Sequence, residues 1–558
     1  MKMKYTSERA IQMLIWLLKK NNIRKVIVSP GATNANFVSS LQMDGNFEMY
    51  SCLDERSAAY MACGLAEATG EVVVITCTGA TASREYLAGL TEAYYRKLPI
   101  LAVTGTQTTA NGNNLIPQFI DRECVPKDAI KYSVHIQYVR GETDEWDCML
   151  KMNRAIMELF SHGGGPVHIN LTTNYSIEYC VGTIPPTRKI TYHRYYDLLP
   201  DISARKRIAI SIGAHKPFTK KLTYLIDKFC ELYDAVVLVD HSSKYYGKWR
   251  VLPTLYTAQK NKIIDLKPDL IIHIGEQSAD YFTFYWLREC KEVWRVSEDG
   301  KIRDTFKALT NVCEMREEDF FEYYVTNYHM DSKKTNLSYY EEWQEALKKL
   351  YNNIPQLPFS NIYIAKRVAS EIRSDSVVQL GLSNTMRAWT FFEFGSPVYS
   401  GSNVGCRGID GVLSTLVGIS LSNRTRICYG IFGDLTFFYD MNVLCNRHIG
   451  NNIRLMLINN NGGTEFHIHG HMGYLTLKDE VGKYVAADGH AKNKSRTLLK
   501  HYTEDLGFTY LWADDKESLE RALKIFLSEE LGEKPIFLEV FTGHELENDA
   551  LDLMQNIQ

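Results

Sequence analysis

The chain has 558 residues, 45% hydrophobic and 23% charged, with 63 Lys and Arg against 66 Asp and Glu for a formal charge of −3. At roughly 150 residues per domain that length implies three or four domains, and the near-neutral balance excludes recruitment of nucleic acid or anionic membrane by bulk charge. Twelve cysteines without one CxxC pair exclude a zinc ribbon or a thioredoxin-type motif, so reduced cysteines in a cytoplasmic protein are expected.

The first apolar run, 10–18, follows Lys2 and Lys4 but ends in Lys19-Lys20-Asn21-Asn22, which is no cleavage site. Ile11, Leu14, Ile15 and Leu18 recur at i, i+3, i+4, i+7, which predicts an amphipathic helix with Ser7 as its cap. No stretch is long and apolar enough to span a bilayer. Strands at 25–29, 72–77, 100–104 and 167–171 then alternate with helices at 58–68 and 85–95, the pattern of a parallel α/β sheet. A linker is placed around Pro185-Pro186. The second block has strands at 207–213, 235–239, 270–275 and 292–297 and a helix at 220–233, without the GxGxxG dinucleotide fingerprint. After a charged helical region at 317–350, the third block has strands at 376–380, 426–432, 454–459 and 535–540. The expected fold is therefore α/β with three doubly wound parallel-sheet domains: 1–184, 185–350 and 351–558.

Gly433-Asp434-Leu435 ends one predicted strand, and Asn459-Asn460-Asn461-Gly462-Gly463 ends the next. Ligands bind at the carboxyl ends of parallel strands. A hard carboxylate from Asp434, a side-chain carbonyl from Asn461 and a backbone oxygen from Gly463 suit Mg²⁺ holding a diphosphate, and the following helix offers N–H donors. Turns favour these residue types on their own account. What distinguishes the pair is that the two turns are one strand–helix–strand unit apart.

These residues resemble the thiamine-diphosphate enzymes, whose diphosphate motif opens Gly-Asp-Gly and closes Asn-Asn at about this spacing, with Leu435 in place of the third-position Gly in one branch. Ser29-Pro30-Gly31, 54–58, 77–82, Ala93-Tyr94-Tyr95 with Pro99, and 165–169 are similar to the pyrimidine-binding domain of the menaquinone-pathway branch. Gly408-Ile409-Asp410-Gly411, Ser414-Thr415 and Gly433-Asp434-Leu435 are similar to its diphosphate-binding domain. The resemblance implies pyrimidine-binding, central Rossmann-like and diphosphate-binding domains, with thiamine diphosphate and Mg²⁺ as cofactors. Glu55 takes the role of the glutamate that hydrogen-bonds the pyrimidine N1′, and burial at the start of its small-residue helix would favour the protonated donor form. A helix N-terminal carboxylate is the plainer reading of the same residue. Ser383, Ile409, Gly433, Asp434, Leu435 and Asn461 are carried over as cofactor-binding, with Ile409 propping the cofactor into its bent shape. Asp434, Asn461 and Gly463 are carried over as metal ligands. Gln118 and Arg387 match substrate-facing positions.

The departures from that branch concern charge. Thr33 stands where an arginine belongs, Gly105-Thr106-Gln107-Thr108 replaces a run containing another, and Val404 replaces a third, while Arg407 is new and is assigned to substrate. Each lost charge-assisted contact costs about 1.5–3 kcal/mol, so a less charged acceptor is expected. His467, His469 and His471 follow the metal turn, with Glu465 before them. His467 and His469 are catalytic candidates for proton transfer; three histidines on one face of a strand as a metal site, or a polar loop, are the alternatives.

The function expected is a carboligase that decarboxylates a 2-oxo acid and transfers the acyl carbanion to a second carbonyl. A decarboxylase releasing an aldehyde, or a non-catalytic cofactor-binding subunit, is the alternative. The expected partners are those small molecules and a second copy of the chain, as a homodimer or homotetramer with active sites at subunit interfaces, with neither nucleic acid nor membrane.

Overall fold

The computed structural model describes residues 4–111, 114–120, 125–205, 207–261, 264–328, 338–395, 397–486, 488–489 and 495–557. Three sheets account for its strands. The first comprises β1 (Lys25–Val28), β2 (Glu48–Ser51), β3 (Val73–Thr78), β4 (Ile100–Thr106), β5 (Tyr132–Ile136) and β6 (Val167–Thr172). The second comprises β7 (Thr191–Arg194), β8 (Ile208–Ile212), β9 (Ala235–Leu238), β10 (Arg250–Val251), β11 (Leu270–Ile274), β12 (Val293–Ser297) and β13 (Leu309–Glu314). The third comprises β14 (Val377–Leu380), β15 (Tyr399–Gly401), β16 (Cys428–Gly433), β17 (Ile453–Asn459), β18 (Thr509–Ala513) and β19 (Ile536–Phe541).

The first and third sheets are parallel throughout and share one spatial order, β2-β1-β3-β4-β6-β5 and β15-β14-β16-β17-β19-β18. In each, the strand order reverses beside the founding strand, which opens a crevice at β1/β3 and at β14/β16. The second sheet runs β10-β9-β8-β11-β12-β13-β7. Central strands such as β4, β6 and β17 are buried on both faces, which is why they read as unbroken apolar runs rather than alternating ones. The eleven described cysteines form no disulfide, and no helix among the described residues is long and apolar enough to cross a membrane.

The chain divides into two compact units, residues 1–192 and 193–558, so the first sheet stands in one unit and the third in the other. In the second unit, Gln259 donates to the Met554 carbonyl (2.8 Å) and His241 Nε2 lies 3.0 Å from the Trp389 carbonyl, tying the middle layer to the third.

The N-terminal helix, Arg9–Lys20, buries Ile11, Leu14, Ile15 and Leu18 as its spacing predicts. Its cap differs from expectation. Glu8 takes the N-cap position without a side-chain cap bond, and Ser7 Oγ pairs with Ser176 Oγ instead. The Glu8 carboxylate, in a residue 1% exposed, accepts from Thr173 Oγ1, Asn174 N and Ser176 N, so a distant loop takes the oxygen that would otherwise have capped.

Candidate active site

At the carboxyl edge of the third sheet, β14 and β16 flank the crevice. Gly433 ends β16, and a side chain at that position would meet nothing within 4 Å. Asp434 opens the helix Asp434–Asp440 and is 1% exposed. Its Oδ1 accepts from Leu435 N (2.6 Å) and its Oδ2 from Gly462 N (3.3 Å), so the turn after β17 crosses directly over it. Within that turn Asn461 has φ +71° and is exposed, Gly462 has φ +154°, and Gly463 N donates to the Ala486 carbonyl (2.7 Å). Asn460 Oδ1 is buried and has no hydrogen-bond partner among the described residues. Ser383, one turn past β14, holds φ +61° and ψ −123°, a conformation a residue with a Cβ adopts only under constraint. A buried carboxylate, an unsatisfied amide oxygen and a strained serine around an open strand end fit a diphosphate with its divalent cation. Asp434, Asn461 and Gly463, carried over as cation ligands, stand together at this edge, joined by the bond from Gly462 N to Asp434. Ile409 is half-buried, so it has apolar surface left to offer a ligand.

Two arginines converge on Tyr281. The Arg407 guanidinium lies 4.5 Å from the ring centroid and donates to the Ser278 carbonyl (2.6 Å); the Arg387 guanidinium lies 5.9 Å from the same ring. Arg387 is already paired: its Nη2 reaches both oxygens of Glu465 at 2.8 and 2.7 Å, with the arginine side chain only 9% exposed. Arg387 is thus bound to a carboxylate of its own chain.

The histidine segment is not a strand. Thr464–His467 is a helical turn and Met472–Leu477 a second helix, so the alternative of three histidines on one strand face does not form. His471 caps the second helix, its Nδ1 accepting from Gly473 N (3.0 Å), and His469 is half exposed beside Asp552. Of the three, His467 meets a half-buried carboxylate, its Nε2 lying 2.8 Å from Asp488 Oδ2.

In the first unit, Glu55 is the first residue of the helix Glu55–Thr69, which Asp54 caps through Arg56 N (3.2 Å). The helix begins three residues earlier than its small-residue run suggests, and Glu55 is half-buried. Its carboxylate is one of the lesser charges acting on Tyr86, whose phenol burial drives well above its usual range. Gln118 is exposed in the connection between β4 and β5, at φ +61°. The replaced arginine positions are internally satisfied. Thr33 is 4% exposed and its Oγ1 donates to the Gly105 carbonyl (2.9 Å), while a Cβ on Gly105 would lie 2.2 Å from the Thr33 carbonyl oxygen. Val404, also 4% exposed, is part of a hydrophobic core cluster.

Residues 9–124 match the family model described as the thiamine pyrophosphate enzyme N-terminal TPP binding domain. Over 561 residues the chain is 30% identical to the 2-succinyl-5-enolpyruvyl-6-hydroxy-3-cyclohexene-1-carboxylate synthase of Bacteroides fragilis, covering 97% of each chain. The chain belongs to the thiamine pyrophosphate enzyme family. The same-named synthases of Phocaeicola vulgatus and Flavobacterium johnsoniae are 30% and 26% identical to it, over 98% and 97% of each chain.

For a thiamine pyrophosphate enzyme, the carboxyl edge of the third sheet carries more chemistry than its motifs announce. Tyr281, Asp488, His544 and Asn548 stand at or beside the site and were missed from sequence. No local signal marks them, because their partners are far away in the chain: His544 meets Thr464 from 80 residues off and Asn548 meets the His467 carbonyl from 81.

Proposed function

We propose that this chain is a thiamine-diphosphate- and Mg²⁺-dependent carboligase, decarboxylating a 2-oxo acid and passing the acyl carbanion to a second carbonyl of lower charge than a dicarboxylate. The observation that carries the reading is the buried Asp434 at the β14/β16 crevice with the turn of Asn461 folded over it. Thiamine diphosphate, when bound, supplies the electron sink that stabilises a carbanion next to a former carbonyl. The chain's residues hold and orient it: Asp434, Asn461 and Gly463 would hold the Mg²⁺, and Ser383, Gly433 and Leu435 the diphosphate end. Ile409 would support the bend between the two rings. Glu55 would hold a proton at the pyrimidine N1′, a role with no use in a protein that only stores the cofactor. As the family resemblance implies, a homodimer that pairs one chain's first unit, with Glu55, with another's second, with Asp434, is the minimal assembly proposed, in the cytoplasm, with three sheet domains at 1–184, 185–350 and 351–558.

Gln118, Arg387 and Arg407 are proposed to face substrate. Arg387 already carries Glu465, and the arginines absent at positions 33 and 404 are replaced by residues satisfied within the fold. This supports an acceptor with fewer carboxylates than the relatives' named product. A labelled 2-oxo acid offered with a panel of aldehydes and ketones decides: a carbon–carbon coupled product is expected, whereas an aldehyde alone with every acceptor establishes a decarboxylase. Exchange of the cofactor C2–H should slow by at least about 10²-fold in Glu55→Gln, the lower end for a positioned proton-transfer group. Equal rates would remove Glu55 from catalysis.

A further inference from the structure

We infer that His467, Asp488 and His544 form a second metal site, separate from the Asp434 group and suited to a borderline transition ion of the Zn²⁺ class. One ligand atom from each lies within 4.8 Å of the other two, and all three side chains are half-buried. His467 Nε2 is 2.8 Å from Asp488 Oδ2, and His544 Nε2 is 3.7 Å from Oδ1. These separations bracket the edge of about 3.3 Å that tetrahedral ligands at about 2.0–2.1 Å define. The two imidazoles are stacked, centroids 3.8 Å apart at 13°, and both address one carboxylate. Imidazole lone pairs lie in the ring planes, so one ring has to tilt out of this stack for both to reach a single cation.

Three further contacts pre-form the group. Thr464 Oγ1 lies 3.1 Å from His544 Nδ1, the hydrogen bond by which a ligating imidazole fixes its tautomer and ring plane. Asn548 Nδ2 donates to the carbonyls of both His467 (3.0 Å) and His544 (3.1 Å), locking the two backbones together. Asp488 N donates to the Gly482 carbonyl (3.0 Å), and the carboxylate occupies space that only glycine leaves open, since a Cβ on Gly462 would fall 1.5 Å from Oδ1 and one on Gly482 2.4 Å from Oδ2. Asp488 Oδ1 is buried with no hydrogen-bond partner among the described residues. A buried carboxylate oxygen left that way is costly, and a coordinated cation removes the cost.

Two imidazoles and one carboxylate leave a fourth position open and select Zn²⁺, Co²⁺ or Fe²⁺ over Mg²⁺, which demands an oxygen octahedron. Gly462 stands between the two sites: its N–H donates to Asp434 and its Cα faces Asp488. The second ion would therefore brace the turn that carries the first.

The test uses the full chain without thiamine diphosphate, titrated with Zn²⁺ in excess Mg²⁺ and followed by metal content after desalting and by thermal melting. One Zn²⁺ per chain is expected in wild type and in Asp434→Ala, with affinity reduced at least tenfold in His467→Ala, His544→Ala and the isosteric Asp488→Asn. Zn²⁺ should raise the Tm of the first two proteins alone, and Co²⁺ should give the visible bands of a four- or five-coordinate ion only in them. Absence of Zn²⁺ uptake by wild type, or uptake unchanged in Asp488→Asn, overturns the inference and leaves a hydrogen-bonded cluster. Uptake lost only in Asp434→Ala assigns the ion to the first site and overturns it equally.

Discussion

Glu547 shows how one buried carboxyl makes the site's foundation sensitive to pH. It is 4% exposed, accepts from Asn361 N (2.9 Å) and Thr542 Oγ1 (2.9 Å), and burial raises its pKa from 4.5 to about 7 against those hydrogen bonds. A folded-state value above the unfolded one means that the stability is fully present below about pH 4.5 and is lost as pH rises through about 7, some 3 kcal/mol in all. Urea midpoints at pH 5 and pH 8 should therefore fall further for wild type than for Glu547→Gln, and parallel changes in the two proteins would refute this. A second residue-scale prediction concerns Glu465. Releasing Arg387 by Glu465→Gln should lower KM for a carboxylate-bearing acceptor by about 10- to 100-fold while leaving neutral acceptors unaffected, as a charge-assisted hydrogen bond of about 1.5–3 kcal/mol implies. Asp434 and Asn461 were legible because turn chemistry is local and their spacing is set by one intervening helix. Glu465 was visible only as a neighbour of the histidines and Arg387 only as a substrate-facing match; their pairing across 78 residues was not legible at all.

Among elements, the central strands were read nearly to the residue. β8, β11, β14, β17 and β19 bury every residue or nearly so, and a run of apolar residues survives in any register. The edge strands β2, β10 and β15 are short, and β2 is largely exposed, so they carry no apolar run to find. The histidine segment misled because alternate spacing over five residues matches a strand, while the polar contacts that make it helical, Asn548 to the His467 carbonyl among them, come from elsewhere in the chain. The N-terminal helix lends itself to a packing test. Leu14 is fully buried, and Leu14→Ala should cost about 2–5 kcal/mol in chemical denaturation; a loss below 1 kcal/mol would mean the helix is peripheral to the fold.

At the scale of the whole molecule, two sheets of identical strand order place a ligand crevice in each compact unit, and the cofactor joins the account as a ligand that stabilises. Thiamine diphosphate with Mg²⁺ at a hundred times its Kd should add about 2.7 kcal/mol to the unit it binds, read as a concentration-dependent rise in Tm. Asp434→Ala should abolish that rise, and an unchanged rise would displace the metal assignment. The interlock of Thr33 with Gly105 also limits how this part of the first unit can be redesigned. Placing an arginine at position 33 by one substitution would break that hydrogen bond and force a guanidinium into a site 4% exposed, while a Cβ at 105 would collide with the Thr33 backbone. Exchange of residue 33 alone therefore cannot make this place cationic in a well-folded chain: the backbone approach that Gly105 permits fixes what residue 33 can be.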